Sequence, residues 1–89
     1  MKIKEGFVLR SLGDEFIITG EGPAQVNFNK MISLNGSAAY LWNSVQGKDF
    51  VAEDLANLLL AEYDVDEKTA SRDAAAIVEK WSKIGLLSE

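Results

Sequence analysis

The sequence predicts an α+β fold, on three observations. β-branched and aromatic runs fill the first third of the chain, apolar residues recur at three- and four-residue spacing in the rest, and only short connections separate them. The period changes across a single asparagine: Met31, Ile32, Ser33 and Leu34 read as a short strand, whereas Ala38, Leu41, Trp42 and Val45 share one helix face. Asn35 stands between them, where a helix N-cap belongs.

Phe7-Val8-Leu9-Arg10 and Phe16-Ile17-Ile18-Thr19, separated by Leu12-Gly13-Asp14, predict a hairpin. Gly20-Glu21-Gly22-Pro23 breaks the chain, and Val26-Asn27-Phe28-Asn29 after it reads either as a short strand or as a loop whose Phe28 caps the core. Met31 to Leu34 is the third strand. The first helix is expected from Gly36 to Gln46, ended by Gly47. Asp49 is the candidate cap of the second, whose apolar face is Leu55, Leu58, Leu59 and Tyr63. The third has the fullest set of signals. Asp66 caps it, Val65 can staple against Ala70, and Ala70, Ala74, Ile77, Val78, Trp81 and Ile84 form one stripe. Gly85 then supplies a left-handed ending that lets Leu86 fold back on Trp81. Three strands followed by three helices, without repeats or a low-complexity linker, describe a winged-helix-like domain: a three-stranded antiparallel sheet and three helices in one domain over residues 1–89. So small a sheet leaves at least one edge open.

At 89 residues the chain can bury roughly 60 to 65 per cent of its unfolded surface. Apolar residues at 47 per cent and charged ones at 26 per cent fit a globular domain rather than a disordered one. The chain has no Cys and no His, which removes disulfides, thiolate nucleophiles, imidazole bases and soft metal ligands, and with them most enzyme mechanisms. No apolar run approaches the roughly 18 residues of a membrane span, and the start lacks the apolar segment of a signal peptide, so a cytoplasmic protein is expected. A net charge of −5 disfavours nucleic acid and anionic lipid as partners and permits a peptide or protein.

Several motifs have plainer explanations. Asn35-Gly36-Ser37 fits the N-glycosylation pattern, but without a secretory signal helix capping accounts for it better. Asp64-Val65-Asp66 resembles the start of a calcium loop, yet Thr69 and Ala75 occupy the positions that need Gly and Glu. Gly20-Glu21-Gly22 lacks the third glycine of a phosphate loop, since Gln25 stands there. Trp42 and Trp81 lie on apolar stripes and belong to a core before they belong to an interface. Ser37 has no recognisable base to make it a nucleophile. The third strand differs, because an extended peptide can join an open edge through main-chain hydrogen bonds. From spacing alone that edge is either free or covered, by the Gly20 to Asn29 segment or by a second copy of the chain.

Leu34-Asn35 followed by Ala39, Leu41-Trp42, Leu55-Ala56, Leu59, Glu62-Tyr63-Asp64-Val65, Asp73, Trp81 and Gly85-Leu86-Leu87 resembles the family of pyrroloquinoline quinone biosynthesis protein D (PqqD) over about residues 5 to 88. The resemblance implies a non-catalytic winged-helix domain, without cofactor or metal, that recognises the leader of a ribosomally made precursor peptide. Such a domain delivers the leader to a modifying enzyme, often a radical SAM protein. It also implies that the leader adds as a strand to the third strand and lies in a groove beside the third helix. Carried onto this chain, the peptide-binding residues are Met31, Ile32, Ser33 and Leu34 through their backbone, and Asp73, Ala76, Ile77 and Lys80 on the helix.

Two other readings follow from the same fold. A winged helix can bind DNA, but between Asp66 and Lys83 the acids Asp66, Glu67, Asp73 and Glu79 balance the bases Lys68, Arg72, Lys80 and Lys83, leaving that helix neutral. A structural role, with the open edge pairing two copies into a homodimer rather than serving a monomer, is the other.

Overall fold

The computed structural model describes residues 1–21 and 32–88. Gly22-Pro23 of the predicted break, Gln25, the Val26 to Asn29 segment and Met31 lie outside the described residues. Within them the order is β1 (Lys2–Ile3), β2 (Phe7–Leu12), β3 (Glu15–Gly20), β4 (Ile32–Leu34), α1 (Gly36–Val45), α2 (Ala52–Glu62), α3 (Glu67–Ile84) and β5 (Leu87–Ser88). The expected three-stranded antiparallel sheet forms in the order β2-β3-β4, and three helices follow it.

The hairpin turn is shorter than expected. Leu12 does not belong to it but pairs with Glu15, leaving only Gly13 and Asp14 between the strands. Gly13 has φ +61° while Asp14, like every other non-glycine among the described residues, does not have positive φ, the signature of a type II′ turn whose twist matches that of the paired strands.

Two helix limits also differ from expectation. α1 ends at Val45, one residue early, because Gln46 takes φ −59° and ψ 128°. Gly47 at φ +81° and the Lys48 N–H donating to the Val45 carbonyl (3.0 Å) then complete a type II turn, so Gly47 serves a turn rather than closing the helix. α2 starts after Val51, not Asp49. Asp54 replaces Asp49 as the acid at that end: its carboxylate accepts from the Val51 N–H at 2.9 Å. The displacement follows from Phe50, which is buried and paired through both main-chain groups with Met1 (2.8 and 2.9 Å), keeping residues 49–50 out of the helix. On α2 the buried face is Leu55, Ala56 and Leu59, with Leu58 half-buried; Tyr63 lies past the helix end and is exposed.

α3 has the limits expected. The Asp66 carboxylate accepts from the Thr69 N–H at 2.7 Å. At the other end Gly85 has φ +94°, its N–H donates to the Ser82 carbonyl (3.1 Å), and the Leu86 N–H donates to the Trp81 carbonyl (2.9 Å), which is a Schellman ending. A Cβ at Gly85 would meet no neighbour, so Gly85→Ala carries only the conformational cost of a left-handed alanine, about 1 kcal/mol. Urea denaturation measures it, and an unchanged midpoint would count against this ending.

Asp66 also sets an acid sensitivity. The bond from the Thr69 N–H, with the Thr69 hydroxyl and the charge of Arg72 adding to it, holds its carboxyl below the ordinary value. A carboxyl depressed in the folded state adds stability that is complete above its unfolded pKa and vanishes as pH falls through the folded one. The melting-temperature advantage of wild type over Asp66→Asn should therefore shrink as pH falls from about 5 towards 3; a gap independent of pH would refute the role.

The core lies between the helices and the sheet face that carries Ile18, Ile32 and Leu34, with Trp42, Leu41, Leu55, Trp81 and Leu86 fully buried. The two tryptophans join α1 to α3 edge to face, ring centroids 5.4 Å apart at 82°. On α3 Ala70, Ala74 and Trp81 are buried, and Ile77, Val78 and Ile84 pack half-exposed at the margin. One feature was not expected at all: β1 and β5 pair antiparallel, joining the two ends of the chain through Lys2 with Ser88 and Ile3 with Leu87.

Candidate functional site

The register of the hairpin decides which main-chain groups reach the edge of the sheet. In an antiparallel pair, hydrogen-bonded and non-bonded partners alternate. The two-residue turn makes Leu12 with Glu15 a bonded pair, and the Glu21 N–H donating to the Gly6 carbonyl (2.7 Å) marks a bonded pair in the same phase at the other end. Glu15, Ile17 and Thr19 therefore turn their amides and carbonyls towards β2, and Phe16 and Ile18 turn theirs towards β4. On β4 their partners are Leu34 and Ile32. Ser33, opposite Ile17, directs its N–H and C=O away from β3, to the outer side of the strand.

The side chains follow a second alternation. Ile32 and Leu34 are buried in the core, while Ser33 is exposed on the opposite face. Among the described residues no strand lies beyond β4. The other edge begins beneath α1, where Gln46 Nε2 donates to the Phe7 carbonyl at 3.4 Å. Of the residues expected in a peptide site, Ile32 and Leu34 thus anchor the strand and Ser33 offers the pairing groups.

α1 follows β4 without a loop. The Asn35 side-chain oxygen accepts from the Ala38 N–H (2.9 Å) and from the Ser37 hydroxyl (3.0 Å), which starts the helix immediately after Leu34. Next to this junction lies a hollow of about 420 Å³ lined by Asn35, Gly36 and Ser37, by Leu59, Tyr63 and Val65, and by Asp73 of α3. Asp73 is thereby brought to the end of β4. Ala76 and Lys80 line a separate hollow of about 440 Å³ with Glu79, Lys83 and Ile84, two turns further along α3. Ile77 lies between them on the helix, its side chain half-buried against the core. The expected helix residues accordingly divide between two neighbouring depressions rather than lining one.

In the sequence Leu59, Tyr63 and Val65 mark a helix face and a staple, and their second role as walls of the Asp73 hollow has no local signal. Tyr63 came nearest to giving one, as a large aromatic residue just before a turn. It is 38 per cent exposed and packs edge to face on Tyr40, centroids 6.0 Å apart. Among the described residues no three metal-ligating side chains cluster, and no helix is long and apolar enough to cross a membrane.

A family model described as coenzyme PQQ synthesis protein D (PqqD) matches residues 8–87. Two solved structures share the fold. One is described as TbiB1 in complex with the TbiA(beta) leader peptide: it is 24% identical, the match covers 99% of this chain and 95% of that one, and the TM-score is 0.74. The other, a lasso peptide synthetase B1 complexed with the leader peptide, is 19% identical, with 99% and 96% covered and a TM-score of 0.73. No curated protein matches the chain.

Proposed function

The chain belongs to the PqqD family, and on that premise we propose that it is a peptide-recognition module, one domain over residues 1–89, which binds the leader of a ribosomal precursor peptide by strand addition. The observation that carries this reading is the outward N–H and C=O of Ser33 on an edge strand whose neighbours anchor it in the core. That two proteins of the same fold are described in complex with leader peptides supports it. The leader pairs along Met31 to Leu34 and lies against the α3 side that carries Asp73, Ala76, Ile77 and Lys80.

The module presents the bound leader to a modifying enzyme and performs no chemistry itself, in keeping with a chain that contains neither Cys nor His. Its place is the cytoplasm, where a ribosomal precursor is available before export.

Calorimetry with the leader of the precursor peptide encoded beside this gene tests the reading. A dissociation constant between about 1 μM and 1 nM is expected, or roughly −8 to −12 kcal/mol. Absence of heat at high peptide concentration would overturn it.

A further inference from the structure

The hollow beside Asn35 has a chemical character of its own. Leu59 and Val65 form apolar walls, and Tyr63 adds an aromatic ring set by its contact with Tyr40. Gly36 contributes no side chain and leaves its side open: a Cβ there would meet nothing within 4 Å. Among the described residues that line the hollow, one carries a full charge, Asp73 with its carboxylate. Among the described residues its ion-pair partner is Arg72, 3.9 Å away on an exposed neighbouring side chain, too far to neutralise it as a hydrogen-bonded pair would.

Two helix ends meet at the same place and offset one another. α1 begins there without an acidic residue in its first turn, and α2 ends there without a basic one in its last. Their partial charges oppose, so the carboxylate decides the sign. An apolar wall, an aromatic face and a carboxylate together suit a long cationic side chain, whose stem packs on Leu59 and Val65 while its head reaches Asp73 and the Tyr63 ring. The net charge of −5 favours the same occupant.

Resting on the strand-addition reading, we propose that this hollow is a specificity subsite for one Lys or Arg side chain of the bound peptide, with Asp73 its counter-charge. A strand paired at Ser33 advances about 6.8 Å in two residues, which carries it from β4 to the Asn35 rim. The subsite also orients the peptide, because the cationic residue must lie on the Leu34 side of the pairing segment.

The test is selection of a displayed library of random linear peptides on the wild-type chain, on Asp73→Asn and on Asp73→Lys, with Ser33→Pro in parallel. Wild type should enrich Lys or Arg at one fixed position. Asp73→Asn should weaken the selected peptides by about three- to tenfold, and the difference should diminish at high salt. Asp73→Lys should select Asp or Glu at the same position. Asp73 is exposed, so both variants should melt as wild type does. An identical preference on all three proteins, or an apolar or acidic one on wild type, would overturn the subsite while leaving peptide binding intact. Recovery of no peptide on wild type would overturn the binding reading and the subsite with it. Peptides that bind Ser33→Pro as well as wild type would remove strand addition at β4, and with it the subsite's position.

Discussion

Ser33→Pro is expected to reduce leader binding by at least about a hundredfold while the domain stays folded. The reason is the direction of one amide. Ser33 turns its N–H outward, so proline removes a donor that the sheet does not use, whereas the bonds to β3 run from Ile32 and Leu34. An incoming strand loses that bond and meets the proline ring in its place, a combined loss of about 3 kcal/mol or more once the partner carbonyl is left unpaired. Ser33→Ala keeps the amide and should bind as wild type does. Calorimetry for binding and a thermal melt for folding separate the two effects. Equal affinity of Ser33→Pro and wild type would show that the ligand does not pair with β4.

Trp81→Ala carries the second large effect, this time on stability. The side chain is 1 per cent exposed and meets Trp42 edge to face at 5.4 Å, joining α3 to α1 in the centre of the core. Its removal leaves a cavity too large for its neighbours to fill and should cost about 3 to 5 kcal/mol. A chain of this length has only roughly 4 to 13 kcal/mol in total, so the substitution removes from about a quarter of that stability to all of it. Urea denaturation followed by far-UV circular dichroism measures the loss. A cost below about 1 kcal/mol would contradict this packing.

Elements whose determinants lie within four residues were legible in the chain. Asp66 accepting from Thr69, Asn35 accepting from Ala38 and Gly85 in the left-handed region each act on backbone a few positions away, so α3 and the start of α1 lie where the side chains put them. Asp49 had the same credentials as Asp66. It failed because Phe50 beside it is drawn into the core and paired with Met1, 49 positions distant, and no local pattern reveals such a partner. The same limit hid β1 and β5, two-residue strands that exist only because the ends of the chain meet.

The candidate site divides along this line. That residues 31–34 form a strand leading into a helix across Asn35 follows from the apolar period and a cap, both local. Which strand groups face outward does not follow from them. That depends on the phase of the ladder, which the two-residue turn at Gly13 sets and β3 transmits to β4; moving Leu12 from turn to strand defines that phase. The Asp73 hollow is likewise tertiary, since it joins residues from α1, α2, the loop after α2 and α3. The sequence by itself determined the types and most of the limits of the elements, because caps, glycines and apolar periods act over a turn or two. The tertiary structure alone decided the outward amide of Ser33 and the surroundings of Asp73, because register and the meeting of helices are properties of chain segments brought together from a distance.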